Sequence, residues 1–337
     1  MQTDGLFDLQ VNGYAGVDFN DANLTASRLD TALEAMLADG VTGCLPTLIT
    51  GSTADLCARF AALDIAVRDS RLGPVMVPGY HLEGPFLNAD EGYHGCHPAE
   101  AMCDPDLALI TQLEVSLSRP ILLLTIAPER AGSMAAIRHW IRAGKTLAVA
   151  HSSAGFAVIR DAADAGMTLS THLGNGLPQV LPKLDNTLLA QLAEPRLNAC
   201  LIADGHHISP DALRALVGLK GAENCILVSD AVAAAVMPPG DYSFAGMGIR
   251  LLESGRVVQP SGVGLAGSGL RLDRAVRNLV EWSIATPESA AVMAGGAARG
   301  ALSRSLARHG ISLLPGRLVW DDALKPSVVE MSSVIVR

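Results

Sequence analysis

Glu129, His151 and His172 are spaced 22 and 21 residues apart, about one strand-plus-helix unit each. Two imidazoles and one carboxylate, with a fourth position left to water, form the donor set of a catalytic divalent metal, zinc above all. Singly, each has an ordinary explanation, a helix-capping Glu or a histidine satisfied by backbone groups; together they favour a metal site. Asp230, in Leu227-Val228-Ser229-Asp230-Ala231, has the chemistry to take a proton from water and pass it to a leaving group. Its structural alternative is a turn or helix cap. The run His81-Leu82-Glu83-Gly84-Pro85-Phe86 is followed by His94, Cys96, His97 and Cys103. Their spacings match no common structural zinc pattern, so the reading here is a mobile loop that places one imidazole over a substrate. Asp204-Gly205-His206-His207 offers two adjacent imidazoles, of which only one should face a site.

These residues need elements to position them. Strand-like apolar runs cover Leu6–Asn12, Val41–Leu48, Val75–Leu82, Leu122–Ala127, Leu147–Ala150, Thr168–Thr171, Ala199–Ala203 and Ile226–Ser229. Amphipathic stretches lie between them, at Ala26–Ala38, Ala54–Val67, Met134–Ala143, Phe156–Ala165 and Pro210–Leu219. Eight strands alternating with helices indicate βαβ units closed into a (β/α)8 TIM-type barrel, an α/β fold. Gln10, Asn12, His81, Glu83, Glu129, His151, His172, Asp204, His207 and Asp230 all fall at C-terminal strand ends, which converge on one mouth in a barrel.

The expected organisation is a barrel over residues 1–308 with a β excursion near 237–262, then a C-terminal β segment over 309–337. One long helix is expected from about Gly267-Ser268 to Ile284, capped by Ser268, and a second over Pro287–Leu306.

Composition bounds the function. The 337 residues carry 25 Lys+Arg against 34 Asp+Glu, a net charge of −9, with 49% hydrophobic residues. The apolar fraction supports a large core, and the acidic balance argues against nucleic acid as a partner. The apolar runs are too short to cross a bilayer, and MQTDGLFDLQ has no signal-peptide pattern. Six scattered cysteines without a C-x-x-C pair read as reduced thiols, and the expectation is a cytoplasmic protein.

The sequence resembles the N-acetylglucosamine-6-phosphate deacetylase family of the amidohydrolase superfamily. The matching pieces are DLQVNGYAGVDFND, HLEGPFLN, Ala127–Glu129 (APE), AHSSA, THLGNGLPQ, ADGHHI, Ser229–Ala231 (SDA), LAGSGLRLDRAVRNLV and ATPESA, in order over about residues 5–300. The resemblance implies Glu129, His151 and His172 as ligands of one divalent ion, expected to be Zn²⁺, and Asp230 as general base and later acid. Gln10-x-Asn12 resembles members that lack the first-strand His-x-His pair, which implies one metal rather than two. His207 matches the histidine that contacts the sugar, and Asn175, Gly176, Lys183 and Glu83 are the other implied substrate contacts. The loop histidine near the acyl carbonyl is matched by His97 in Gly95-Cys96-His97-Pro98, with His94 as the other candidate.

Some positions depart from the pattern. Gly174 stands where the family has an aromatic, and only Lys183 lies near the arginine that reaches the phosphate; Lys is a point charge, without the bidentate fork. Only four residues precede Gly5, so the family's small β-domain is expected to be truncated, or built mainly from C-terminal residues. The implied activity is hydrolysis of an N-acetyl amino sugar phosphate, probed against two alternatives: another N-acyl amine or cyclic amide, and a non-catalytic sugar-phosphate binder. The family likeness also implies a homodimer.

Overall fold

The computed structural model describes residues 1–260, 262 and 264–336; positions 261, 263 and 337, the first in the expected excursion and the last in the expected C-terminal segment, lie outside the described residues. Eight strands hydrogen-bond side by side in parallel: Leu6–Val11 (β1), Val41–Ile49 (β2), Tyr80–Glu83 (β3), Ile121–Ile126 (β4), Thr146–Val149 (β5), Leu169–Ser170 (β6), Asn198–Leu201 (β7) and Cys225–Leu227 (β8). Every residue of β1, β2 and β4 is buried, which is why those segments read as continuous apolar runs rather than alternating ones. The ring joins where the chain after β8 meets β1. Val11 and Ala231 form a parallel bridge, and the Asp230 N–H donates to the Gln10 carbonyl at 2.9 Å. The contact that closes the barrel therefore also sets Asp230 beside the end of the first strand.

Helices follow the strands as their caps dictate. Thr25, Ser52, Asn186, Ser209 and Thr286 each accept a first-turn N–H at the start of Ala26–Ala38, Thr53–Asp69, Thr187–Ala193, Pro210–Lys220 and Pro287–Met293. Three expectations are corrected. The segment expected as a strand from Val75 starts with a helical turn, Gly73–Met76, because Pro74 suits a first helical position; β3 begins only at Tyr80. The late helix spans Leu272–Glu281, and Ser268 does not cap it. The Ser268 hydroxyl instead donates to the Ser229 carbonyl at 2.6 Å, bracing the end of β8. The helix expected over Pro287–Leu306 is three pieces, Pro287–Met293, Gly296–Ala301 and Ser303–Arg308, the first break falling at Gly295.

Two β additions flank the barrel. Gly240–Phe244, Met247–Leu251 and Val257–Val258 form an antiparallel sheet in the expected excursion, held down by Phe244, Ile249, Leu251 and Val257 against Ile49, Val232 and Ala266. The C-terminal strands Arg317–Trp320 and Pro326–Glu330 take Gln2–Asp4 as a third, and Ile311–Leu314 pairs with Ser333–Val336. The small β portion is thus shared by both ends of the chain, stitched by Trp320 Nε1 donating to Thr3 Oγ1 at 2.8 Å.

Candidate active site

A cavity of about 590 Å³ opens at the C-terminal mouth of the barrel. Its lining includes Glu83, His94, His97, His151, His172, Asn175, Gly176, His207 and Asp230, so most of the residues singled out from sequence meet there. His151, His172 and Asp230 follow β5, β6 and β8, each with a positive φ, 48°, 31° and 50°. Non-glycine residues adopt that conformation at a cost of order 1–3 kcal/mol, and such strain concentrates at functional sites.

Glu83, at the end of β3, is the hub. Its Oε1 lies 2.7 Å from His172 Nε2 and 3.5 Å from His151 Nε2, and its Oε2 lies 3.8 Å from His97 Nε2. Ligand-type atoms of Glu83, His97 and His151 all fall within 4.8 Å of one another. Burial opposes ionisation of Glu83, yet the facing imidazoles of His172 and His151 hold its carboxyl well below the usual range. Burial likewise disfavours a charge on His172, but the Glu83 carboxylate outweighs it and raises the imidazole. His97 is the reverse case. Burial and the neighbouring His151 push it down to about 3, so it is neutral, with Nδ1 2.9 Å from Thr50 Oγ1. His151 Nδ1 lies 2.6 Å from the Tyr93 carbonyl oxygen, to which its N–H donates, and Nε2 is left facing the centre.

Glu129 stands beside this cluster and does not line the cavity. Its oxygens accept from Ser152 Oγ at 2.6 Å, the Ser153 N–H at 2.7 Å and Asn88 Nδ2 at 3.1 Å. Ser152 and Ser153 directly follow His151, and the Asn88 N–H donates to the His151 carbonyl at 3.0 Å, so these bonds tie the end of β4 to the end of β5.

Asp230 accepts on Oδ1 from Asn12 Nδ2 at 2.7 Å and Gln10 Nε2 at 3.1 Å; Gln10 Nε2 also reaches Glu83 at 3.0 Å. Among the described residues no donor is bonded to Oδ2. Burial, then repulsion from Glu83, moves its carboxyl up to about 6. Opposite, His207 Nδ1 sits 2.7 Å from Asp204 Oδ2, which leaves Nε2 for a ligand. Asp204 pays for burial but is held low by that imidazole and by the backbone N–H groups of His206 and His207.

Of the two loop histidines, both line the cavity, and they differ in what holds them. His97 is buried and engaged, whereas the buried Nδ1 of His94 has no hydrogen-bond partner among the described residues. Lys183 departs from expectation: it is exposed and lies outside the lining, because the segment after Gln179 runs away from the mouth. Arg256 and Gln259, from the excursion, line the rim instead. Sequence reasoning missed them, since nothing local shows that this segment folds back over the mouth.

No protein-family profile matches the chain. An N-acetylgalactosamine-6-phosphate deacetylase of Escherichia coli O157:H7 is 36% identical over 289 residues, 85% of this chain and 74% of that protein. An N-acetylglucosamine-6-phosphate deacetylase of Vibrio furnissii is 31% identical, over 86% of this chain and 71% of the relative. Among solved structures, N-acetyl-D-glucosamine-6-phosphate deacetylase from Mycobacterium smegmatis superposes with a TM-score of 0.85 at 28% identity, covering 100% of this chain and 88% of that one. A mutant of the same enzyme, in complex with N-acetyl-D-glucosamine-6-phosphate, gives the same score.

Proposed function

The chain belongs to the family of N-acetylglucosamine-6-phosphate and N-acetylgalactosamine-6-phosphate deacetylases, and we propose that it hydrolyses an N-acetyl hexosamine 6-phosphate, N-acetylglucosamine-6-phosphate foremost, to the free amine and acetate. The observation that carries the reading is the meeting of Asp230, with an unbonded Oδ2 among the described residues, and the Glu83–His151–His172 cluster in one cavity.

The donor set suits one divalent cation. His151 presents Nε2, and His172 keeps a buried Nδ1 without a partner. We assign the ion to His151, His172 and Glu129, the set implied by the strand ends, with the Ser152, Ser153 and Asn88 donors orienting the Glu129 carboxylate as partners of ligating carboxylates commonly do. A second reading has a specific observation behind it: Glu83 already touches His172 and approaches His151. Bound there, the ion, zinc in this reading, supplies Lewis acidity to the acetamido carbonyl and to the attacking water.

The remaining work falls to the chain itself. Asp230 accepts the proton of the attacking water on Oδ2 and returns it to the amide nitrogen, so that a neutral amine leaves. Asn12 and Gln10 hold Oδ1 and fix the direction of the free oxygen. His94 donates to the carbonyl oxygen as charge builds there. His207, oriented by Asp204, receives a sugar hydroxyl at Nε2. A homodimer and a cytoplasmic location belong to the same reading.

The test is amine release from a panel of N-acetyl amino sugars with and without a 6-phosphate, together with metal content. The expected result is turnover of the 6-phosphates and about one ion per chain. Glu129→Gln should lose most of the ion and Glu83→Gln should keep it; the reverse would give the ligand role to Glu83. No amine release from any N-acetyl amino sugar with added Zn²⁺ would overturn the function.

A further inference from the structure

Arg256 is the one Lys or Arg side chain among the described residues that lines the 590 Å³ cavity. We propose that Arg256, and not Lys183, binds the phosphate of the substrate and sets the preference for phosphorylated sugars. The inference rests on the 6-phosphate reading of the site and names the residue that would carry it.

The position is built rather than incidental. Leu252 to Arg256 form a tight turn, with the Leu252 N–H donating to the Arg256 carbonyl at 2.9 Å and the Gly255 N–H to the Leu252 carbonyl at 2.9 Å. Gly255 takes φ +87°, a conformation that suits glycine. Leu251 before the turn and Val257 after it are buried in the cluster that pins the excursion to Ile49 and Val232. An exposed side chain is thus mounted on an anchored base. A methyl group built on Gly255 would lie 3.6 Å from His206 Nε2, so the turn abuts the loop that also carries His207.

Charge separates the two ends of the cavity. The floor holds the carboxylates of Glu83 and Asp230, which repel a phosphate dianion. The rim holds Arg256, His206 and Gln259, all donors or capable of becoming so. In a 2-acetamido-hexose 6-phosphate the amide and the phosphate leave from different ring positions, so an amide at Asp230 directs the phosphate outward, toward the rim. Among the described residues the Arg256 guanidinium is bonded to no carboxylate, so its fork is free for two parallel N–H···O bonds to a phosphate. Lys183 has no such access.

The experiment compares kcat/KM for N-acetylglucosamine-6-phosphate with that for N-acetylglucosamine in the wild type, Arg256→Ala, Arg256→Lys and Lys183→Ala, on metal-loaded protein. Glucosamine-6-phosphate as a product inhibitor gives a readout independent of the chemical step. Arg256→Ala should lower the phosphate preference about 10- to 150-fold, mostly through KM, and raise the product's inhibition constant by a similar factor. Arg256→Lys should restore part of both, and Lys183→Ala should stay within about threefold of wild type. A wild type that strongly prefers the phosphorylated sugar, with Arg256→Ala keeping that preference, overturns the inference and leaves the 6-phosphate reading standing. A wild type without any preference for the phosphate overturns the 6-phosphate reading itself.

Discussion

Replacing Asp230 with asparagine should cost turnover while leaving the fold intact or firmer. Asn12 Nδ2 and Gln10 Nε2 both donate to Oδ1, at 2.7 and 3.1 Å, and an asparagine carbonyl can accept the same two bonds. What changes is the other atom: a carboxylate oxygen that takes a proton becomes an amide NH₂ that cannot. A general acid–base group is worth about 10²–10⁴-fold, and this one serves both proton transfers, so the expected loss in kcat is about 10³-fold or more. Stability should move the other way. A carboxyl raised from 3.8 to about 6 costs about 3 kcal/mol when ionised at neutral pH, an upper bound because the cavity admits water to it. In metal-free protein, where no cation offsets that cost, Asp230→Asn should therefore melt higher than wild type at pH 7. The assay pairs amine release with metal content and thermal unfolding of the apo form. More than about a tenth of wild-type turnover would show that another group is the base. Loss of the bound ion would show that Asp230 is a ligand and would undo the separation of roles.

Two further predictions use other buried groups. Asp8, inside the barrel on β1, is raised to about 7 by burial against the bonds it accepts from Ser229 and Gln10. From about pH 4 to 7 the unfolded chain ionises Asp8 while the folded chain keeps it protonated, so wild-type stability falls with rising pH by an amount of order 4 kcal/mol and then levels off. The melting temperature of Asp8→Asn relative to wild type should rise from pH 4 to pH 8; a difference independent of pH would refute the argument. His94→Asn should lower kcat by about 10²-fold with little change in metal content, because His94 lines the cavity and is the imidazole assigned to the carbonyl oxygen. His97→Asn should instead reduce metal retention, since its ring packs 4.6 Å from that of the assigned ligand His151; kinetic data showing the opposite pattern would exchange the two roles.

Much of this molecule was written locally. The alternation of apolar runs with amphipathic stretches, the capping residues Thr25, Ser52 and Ser209, and the polar residues at each strand end are short-range signals, and they determine a barrel whose chemistry lies at one mouth. Side-chain direction is not such a signal. Glu83 and Glu129 are both carboxylates at or just past strand ends, and only the packing of β3, β4 and β5 points one at His172 and the other at Ser152 and Ser153. His94 and His97 are three residues apart, yet one is locked against Thr50 and the other is not. Lys183 sits in the segment that follows a strand-end motif and leaves the cavity, while Arg256, 26 positions after Asp230, returns to it because Phe244, Ile249, Leu251 and Val257 bury themselves against Ile49 and Val232. Gln2–Asp4 likewise joins strands more than three hundred residues away. Those outcomes depend on contacts between residues distant in the chain, whose free energy comes from mutual burial, so the tertiary structure alone decided them.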